Sequence, residues 1–360
     1  MTAARKSKIT SCGKEKRLNN PGVVDCGPGP RRVGIISVGI CLPDRILESE
    51  SLRQEVAANS GLSLPPGIFE RVTGVARRRV AAEGEHPSTL AAAAGRSALT
   101  RAGLEPSGID LLVFASASRD VLEPATAHIV QAILGTRAHA MDVANACNSF
   151  VNGIDVACAM ITAGRARRAL VVTGETPSRV VRRAPADRSQ FRDAFAGYTF
   201  GDAGAAVVVE TVDHGGILDV YTDTHSEYWS VGGVFGCGTR HPRDAEYTYF
   251  QADVCELGNA FEKVGVVVMD RIRHRTGLDW SDFRYILIHQ FALPFLEWLV
   301  EKAGLPRERL VVTLPELGNM ASASLGVQLD RIYQELRPGD QVLFIGLGGG
   351  VSVMTMVWER

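Results

Sequence analysis

The sequence alternates short, almost uniformly apolar segments with longer segments whose apolar residues recur at helical spacing. Segments of the first kind include IDLLVFASAS, RRALVVTGET and YILIHQ. A strand that is apolar on both faces is typical of a sheet that is covered by helices on both sides. The alternation of the two kinds of segment therefore predicts an α/β layered fold.

The order of these segments occurs twice along the chain. An apolar strand, a turn, a helix and a second apolar strand surround Cys147. The same order surrounds Asn319, from the predicted strand ERLVVTL through a helix over about 323–336 to QVLFIG. The separation between Cys147 and Gly174 also equals that between Asn319 and Gly346. We therefore expect a duplicated architecture in which Cys147 and Asn319 lie in corresponding turns.

Composition sets the N-terminus apart from the rest of the chain. It is polar, basic and rich in Gly, Pro and Asn, so it can bury too little apolar surface to offset the entropy cost of ordering. We expect residues 1–32 to form a flexible tail. Residues 33–212 should form a first half that contains Cys147, and residues 213–360 a second half that contains Asn319.

Charge and cysteine content limit the partners that the protein can have. A net charge of −1 and a pI near 6.7 give no electrostatic reason to bind nucleic acid or an anionic membrane surface. A small molecule or a carrier protein is the expected partner. The seven cysteines include no pair with zinc-site spacing, which predicts a reducing, cytoplasmic location and no metal. The most apolar run, YILIHQFALPFLEWLV, is interrupted by polar residues, so no membrane span is expected.

Cys147 lies in the segment DVANACNSF, between an apolar run and the predicted helix FVNGIDVACAMITAG. At the start of a helix, unpaired N–H groups and the positive end of the dipole favour a thiolate, so we expect a lowered thiol pKa and a nucleophilic sulfur. A lone cysteine is more often a small buried hydrophobe. The assignment therefore depends on what accompanies it.

Three further features accompany this cysteine. His289 ends the predicted strand YILIHQ, at the edge of the sheet where open α/β folds place their sites. Asn319 lies in the turn LGNMAS, and the run Gly348–Gly350 allows backbone N–H groups to approach a ligand closely. Each has an ordinary structural alternative: a hydrogen-bonded histidine, a helix N-cap and a tight turn. Together they form a Cys-His-Asn arrangement suited to thioester chemistry.

These motifs resemble those of ketoacyl synthase III, the FabH-type branch of the thiolase-fold condensing enzymes. The resemblance covers about 33–360 and rests on DVANACNSF, HQ at 289–290, GNMASAS, FGDAGAAVV and GLGGG, which occur in the family's order. It implies a thiolase fold, that is, a duplicated five-layered α-β-α-β-α subunit that forms a homodimer.

The resemblance also implies roles for individual residues. Cys147 would be acylated from a thioester of acyl carrier protein or coenzyme A, with no further cofactor. His289 and Asn319 would stabilise the enolate that remains after malonyl decarboxylation. The N–H groups of Cys147 and Gly349 would hold the oxyanion, and Phe291 and Leu347 would contact the substrate.

Several positions depart from the family pattern. Ile68 and Val72 occupy the places of the Trp and Arg that clamp the adenine of coenzyme A. Ala292 replaces an Asn that helps to orient the site, and Pro294 replaces a frequent carrier-contacting Arg. Glu123 replaces an apolar residue that the partner subunit presents to the acyl pocket. There it would either select a polar or cationic acyl group or point to solvent, and both alternatives stay open.

The resemblance leads to one principal hypothesis and two alternatives. The principal hypothesis is a decarboxylative Claisen condensing enzyme of a specialised pathway, polyketide biosynthesis or a related one. The first alternative is a same-fold acyltransferase that passes the acyl group from Cys147 to an alcohol or amine. The second is a non-catalytic partner in a heterodimer. The presence of Asn319 favours condensation, and the presence of Cys147, His289 and Asn319 argues against a non-catalytic role.

Overall fold

A computed structural model describes residues 32–360, so the predicted tail over 1–32 lies outside the described residues except for its last residue. The described part contains these strands: β1 Val33–Cys41, β2 Ile46–Glu48, β3 Arg77–Arg79, β4 Leu111–Ala115, β5 His139–Val143, β6 Arg168–Glu175, β7 Ala203–Thr211, β8 Gly216–Thr224, β9 Gly232–Gly233, β10 Gln251–Ala252, β11 Phe283–Ile288, β12 Gln341–Gly348 and β13 Ser352–Glu359.

The helices follow the predicted segments closely. They are α1 Ser49–Ser60, α2 Ile68–Thr73, α3 Pro87–Arg101, α4 Thr126–Leu134, α5 Ser149–Thr162, α6 Arg188–Asp193, α7 Val254–Thr276, α8 Leu293–Ala303, α9 Leu314–Leu317 and α10 Ala323–Ile332. Short 3₁₀ turns connect several of these elements. Between residues 32 and 360, no helix combines the length and the apolar character that crossing a membrane requires.

Two sheets form the framework. The first has the order β1-β7-β6-β4-β5, with β4 parallel to both of its neighbours and β7 antiparallel to both of its own. The second has the order β11-β12-β13-β8, with only the first pair parallel. Their strands are buried almost throughout, as expected for sheets that helices cover on both faces.

Five layers account for this burial. Apolar residues of α5 and α10 share one core with both sheets, which places these two helices between the sheets. Helices α3 and α4 cover the outer face of the first sheet, and α7 and α8 cover the outer face of the second. Successive residues of one strand enter different cores: Val113 faces the central helices, whereas Leu112 and Phe114 face α3 and α4. The predicted α-β-α-β-α thiolase fold is confirmed.

Glycines let the central helices approach the first sheet. A Cβ added to Gly153 of α5 would lie 2.5 Å from the Cβ of Ala115, and one added to Gly326 of α10 would lie 2.5 Å from the Cβ of Ala205. Carbon atoms do not approach so closely, so a larger residue would push either helix away from the sheet. The turns at the N-termini of α5 and α10 would move with them.

Two predicted elements of the second half differ from the structure. The segment ERLVVTL is not a strand, because a single bridge between Ile286 and Leu310 is the only ladder contact that it makes within the described residues. The Gln290 side chain bonds to the backbone of this segment, as described below, and takes the place of ladder hydrogen bonds. Helix α10 ends at Ile332 rather than near 336.

The turns before α5 and α10 correspond, as expected. Ala146 and Ala321 both have φ of 46°, and their carbonyls accept the N–H groups of Ser149 and Ser324, respectively. Superimposing these turns on their geometry sets Cys147 against Ser322. Cys147 and Asn319 therefore lie in corresponding turns, and Asn319 stands three residues before the position that is equivalent to Cys147.

Candidate active site

Cys147 lies in the turn between β5 and α5, as the sequence predicts. Two tight hydrogen bonds form this turn, from Asn148 N to Asn145 O at 3.0 Å and from Ser149 N to Ala146 O at 3.1 Å. Asn148 also donates through Nδ2 to the carbonyl and the hydroxyl oxygen of Ser352, both at 2.9 Å. These bonds fix the cysteine between a strand of the first sheet and β13 of the second.

The electrostatics of Cys147 differ from the expectation. Part of the residue remains accessible, but burial of the thiol, and then the nearby Glu175 carboxylate, raise its pKa to about 12. The prediction of a lowered pKa is wrong because burial and the Glu175 charge outweigh the backbone N–H of Cys147, which lowers the pKa. The sulfur is therefore a neutral thiol at neutral pH and needs a base to become a nucleophile.

His289 follows β11 directly and lies at the carboxyl end of the second sheet. Its backbone N–H donates to Ile345 O at 2.9 Å, and only 3% of the residue is exposed. Burial lowers the pKa of the imidazole to about 4, so the ring is neutral at neutral pH. Its Nδ1 atom has no hydrogen-bond partner in residues 32–360. A neutral imidazole can accept a proton through one nitrogen and donate a hydrogen bond through the other.

Gln290 ties this strand end to the segment that leads to Asn319. Its Nε2 atom donates to Val311 O at 2.7 Å, and its Oε1 atom accepts the N–H groups of Thr313 at 3.0 Å and Leu314 at 3.1 Å. Gln328 of α10 donates to the carbonyl of Ile288 at 2.9 Å, directly before His289. The strand end that carries His289 and the turn and helix that follow Asn319 are thus joined by side-chain hydrogen bonds.

Asn319 is held by its backbone and leaves its amide nitrogen available. Its N–H donates to Thr199 O at 2.8 Å, and its carbonyl accepts from Gly201 N at 3.0 Å. The side-chain Oδ1 atom accepts the N–H of Ala321 at 3.0 Å, which fixes the orientation of the amide. Nδ2 donates no hydrogen bond to any residue in 32–360 and can therefore donate to a ligand.

The glycine run lies beside the cysteine turn. Gly349 is in the turn between β12 and β13, and a Cβ added to it would lie 3.9 Å from the Cβ of Ala146. The backbone of Gly349 is therefore adjacent to the residue that precedes Cys147. The assignment of the Cys147 and Gly349 N–H groups to an oxyanion hole stays a prediction that this adjacency permits.

Sequence reasoning missed one buried acid beside the cysteine. Glu175 ends β6 and is fully buried. Its carboxylate accepts the hydroxyl of Ser322, which lies in the same turn as Asn319. The signal was present, because RALVVTGE is a uniformly apolar strand that ends on a charge.

The remaining predicted substrate contacts differ in their exposure. Glu123 is exposed, between Leu122, which is 66% exposed, and Pro124. Phe291 is half-buried and packs against Phe295 with ring centroids 4.6 Å apart. Leu347 is buried in the core between the second sheet and α7 and α8. The substrate contacts of Glu123, Phe291 and Leu347 stay predictions.

The structure also describes the two positions at which the family carries its nucleotide clamp. Val72 lies exposed near the end of α2 and Ile68 lies half-buried at its start, so neither position offers a ring or a cation. In residues 32–360, no three His, Cys, Asp or Glu side chains are grouped in a way that could hold a metal ion.

The chemistry that the cluster supports follows from the protonation states. A neutral thiol can pass its proton to a neutral imidazole, so Cys147 can transfer a proton to His289 as the sulfur attacks an electrophile. Two uncharged donors, the His289 ring and Asn319 Nδ2, can then stabilise a developing negative charge. Cys147 and His289 belong to turns at the carboxyl ends of β5 and β11, where open α/β folds bind their ligands, and Asn319 lies in the turn between α9 and α10.

Family models and relatives show the family of this chain. The model of 3-oxoacyl-[acyl-carrier-protein] synthase III matches residues 141–226, and the model of its C-terminal domain matches residues 274–360. The β-ketoacyl-[acyl-carrier-protein] synthase III of Hyphomonas neptunium is 33% identical over 335 residues, which cover 89% of this chain and 97% of the relative. The enzyme of that name from Novosphingobium aromaticivorans is 36% identical over 300 residues, covering 79% and 87%.

Solved structures show the same fold. OleA of Xanthomonas campestris superposes with a TM-score of 0.83 at 25% identity, over 92% of this chain and 97% of OleA. The 3-oxoacyl-[acyl-carrier-protein] synthase III of Aquifex aeolicus superposes with a TM-score of 0.78 at 26% identity, over 91% and 100%. OleA structures with a substituted cysteine and a substituted histidine are known, and these two residues are as far apart in its sequence as Cys147 and His289 are here.

Proposed function

The chain belongs to the 3-oxoacyl-[acyl-carrier-protein] synthase III family of condensing enzymes, and from that premise we propose that it forms an acyl-enzyme at Cys147 and condenses it with a malonyl-type thioester. One observation carries this proposal. The turn of Cys147 and the neutral ring of His289 lie at the carboxyl ends of strands, and the available amide nitrogen of Asn319 lies in the turn before α10. Side-chain hydrogen bonds tie these segments to their neighbours.

Acylation is the first step of the proposed reaction. The Cys147 thiol transfers its proton to His289 while the sulfur attacks the thioester carbonyl carbon. The N–H groups of Cys147 and Gly349 hold the oxyanion. When the tetrahedral intermediate collapses, the leaving thiolate takes the proton from His289. The products are the acyl-enzyme and a free thiol that carries the proton of Cys147, and His289 is neutral again.

Condensation is the second step. The malonyl thioester loses carbon dioxide, and the negative charge develops on its thioester oxygen as an enolate. His289 and Asn319 Nδ2 donate hydrogen bonds to that oxygen, and both donors are preorganised by the bonds described above. The enolate carbon attacks the acyl carbonyl, and Cys147 leaves as a thiolate that is then reprotonated. A 3-oxoacyl thioester is released.

The thioester carrier follows from the relatives by similarity. The relatives are named for acyl carrier protein, and one OleA structure contains bound lauric acid and lauroyl-CoA. We propose that this chain takes a thioester of one of these two carriers. Because Ile68 and Val72 provide no clamp for an adenine, an acyl carrier protein fits these residues better. The missing clamp is also the reason for assigning the enzyme to a specialised pathway. A cytoplasmic location is part of the same proposal.

We further propose a homodimer in which Glu123 reaches the acyl pocket of the other copy. Its loop, residues 116–125, exposes Val121 at 43% and Leu122 at 66%, and exposed apolar side chains beside one another favour a protein contact. OleA structures with a substituted glutamate are known, and this residue precedes the substituted cysteine of OleA by nearly the same separation as Glu123 precedes Cys147.

Intact-mass analysis tests the acylation step. The protein is incubated with a panel of acyl thioesters without a second substrate, and an adduct of one acyl group is expected. Cys147→Ala should abolish the adduct. Cys158→Ala is the matched control, because Cys158 is also partly buried and burial raises its pKa to about 12. An adduct that persists in Cys147→Ala would refute the assignment of the nucleophile.

Release of carbon dioxide separates condensation from simple acyl transfer. Wild type should release carbon dioxide from a malonyl thioester and form a 3-oxoacyl product. If the acylated enzyme passes its acyl group to an alcohol or amine and never decarboxylates any malonyl thioester, the protein is an acyltransferase of the same fold.

A further inference from the structure

Glu175 is a carboxylate buried without a cation. It is 0% exposed, and none of the ion pairs in residues 32–360 includes it. Its only stabilising partners are hydrogen-bond donors, and burying a charge under such conditions is costly. A buried acid at the edge of an active site, with no structural ion pair to maintain, points to a role in that site.

The partners of Glu175 come from three parts of the fold. Its Oε1 atom accepts the N–H of Ala117 at 2.7 Å, and its Oε2 atom accepts the N–H of Ser118 at 3.0 Å, just beyond β4. Oε1 also accepts the hydroxyl proton of Ser322. The carboxylate therefore joins the carboxyl ends of β4 and β6 to the turn that carries Asn319.

The Ser322 hydroxyl has only one proton to donate, and two further buried hydroxyls extend from it in a chain. The oxygen of Ser322 lies 2.6 Å from Thr173 Oγ1, which lies 2.9 Å from Ser116 Oγ. If Ser322 donates to Glu175, Thr173 can donate to Ser322 and Ser116 can donate to Thr173. The result is a chain of buried hydroxyls that point in one direction and end on the carboxylate. Glu175 is the nearer acceptor for the Ser322 proton, since the other acceptor within reach, the carbonyl oxygen of Ala115, lies 3.3 Å away.

We propose that Glu175 is a positioning residue of the condensing reaction, whose carboxylate acts through Ser322 to fix the turn of Asn319 against the strand ends beside Cys147. This inference rests on the proposed function, because it gives Asn319 its task. The inference gives a role in the reaction to a residue that touches neither the substrate nor the enolate. It also accounts for the position of Ser322, which occupies in the second half the place that Cys147 occupies in the first.

The carboxylate has a second measurable effect, on the cysteine. Within residues 32–360, Glu175 is the charged group that acts on the Cys147 thiol, and His289 from the end of β11 is neutral above a pH of about 4. A negative charge beside a thiol disfavours the thiolate. Burial raises the pKa of Glu175 itself above its ordinary value, and the hydrogen bonds from Ser322, Ser118 and Ala117 offset only part of this rise.

The experiment uses the full-length enzyme and two variants that separate these effects. Glu175→Gln removes the negative charge. It also places the NH₂ group of the amide next to hydrogen-bond donors that the carboxylate had accepted. Ser322→Ala keeps the charge but breaks the link to the Asn319 turn. Asp202→Asn is the matched control, since Asp202 is 0% exposed and also accepts two backbone N–H groups and a serine hydroxyl. Three readouts are taken: acylation of Cys147, carbon dioxide release from a malonyl thioester, and the rate of alkylation by iodoacetamide from pH 6 to 9.

Both variants should lose decarboxylation about tenfold to a hundredfold, the effect of removing one buried hydrogen-bond partner, with a smaller loss of acylation. Glu175→Gln should also be alkylated about tenfold faster at each pH, because its profile moves to lower pH by about one unit. Ser322→Ala and Asp202→Asn should keep the wild-type alkylation profile.

Two results would overturn the inference. The first is a wild-type rate of decarboxylation in Ser322→Ala, which shows that the link does not position Asn319. The second is an alkylation profile in folded Glu175→Gln that matches wild type. If Glu175→Gln does not fold, Ser322→Ala decides alone. If wild type decarboxylates no malonyl thioester, the proposed function and with it the task given to Glu175 are wrong, whereas the alkylation profiles still report the charge beside Cys147.

Discussion

The two halves of the subunit differ in the segment that joins one equivalent strand to the helix that follows it. In the first half, residues 116–125 join β4 to α4 in a long loop that exposes Leu122 and Glu123. In the second half, residues 289–292 join the corresponding strand β11 to α8 in a short turn that buries His289 and Gln290. The strands and helices on either side are equivalent in the layered fold, so the difference is confined to the connection.

The comparison shows how a duplicated fold acquires one active site. Buried strands and central helices keep the two halves alike, because both halves must fill the same core. Turns at the carboxyl ends of strands carry no such packing constraint. There the first half supplies the thiol of Cys147 and a loop that points away from the subunit, and the second half supplies the neutral ring of His289 and the amide of Asn319.

The largest expected effect is at Gln290, because the second half relies on this side chain where a complete sheet would use backbone pairing. Gln290→Ala leaves the carbonyl of Val311 and the N–H groups of Thr313 and Leu314 unpaired in a buried place. We expect a loss of about 3 to 5 kcal/mol in the free energy of unfolding, measured with urea. Gln131→Ala, which removes a single bond to Ala138 O in the first half, should cost about 1 kcal/mol. Equal losses would show that the two halves do not differ in this way.

The next effect concerns pH and the buried ring of His289. Its pKa is lowered from 6.5 to about 4 in the folded protein, so protonation favours the unfolded state. Stability from this group is present above pH 6.5 and is lost as the pH falls toward 4, by up to about 3 kcal/mol. His289→Gln, which cannot be protonated, should show a smaller decrease than wild type between these pH values. Identical curves for the two proteins would mean that the ring of His289 is not buried in its neutral form.

The smallest effect is expected at Glu123, in the exposed loop of the first half. If the carboxylate enters the acyl pocket of a second copy, Glu123→Phe should favour straight-chain over amino-acyl donors by about tenfold or more in the ratio of acylation rates at Cys147. The measurement compares initial rates for the two kinds of donor in wild type and in the variant. An unchanged ratio would show that Glu123 faces solvent and that the two connections differ only in shape.

Features set by local pattern could be predicted from the sequence, and features set by tertiary contacts could not. The apolar strands, the helices and their repeated order follow from periodicity, as in the helix α5 that follows Cys147. ERLVVTL has the composition of a strand, but the side chain of Gln290 binds the backbone that would have paired. The sequence places Cys147 at the start of a helix, but the burial and the Glu175 charge that raise its pKa come from residues distant in the chain.

The division of labour between the halves is tested most directly by Asn319→Ala. The account predicts that this variant still forms the acyl adduct at Cys147 in intact-mass analysis, because acylation depends on the thiol, His289 and the backbone N–H groups. It should lose release of carbon dioxide from a malonyl thioester by about a hundredfold to a thousandfold, the effect of removing one donor to a developing oxyanion. Wild-type decarboxylation in Asn319→Ala, or an equal loss of acylation and decarboxylation, would contradict the account.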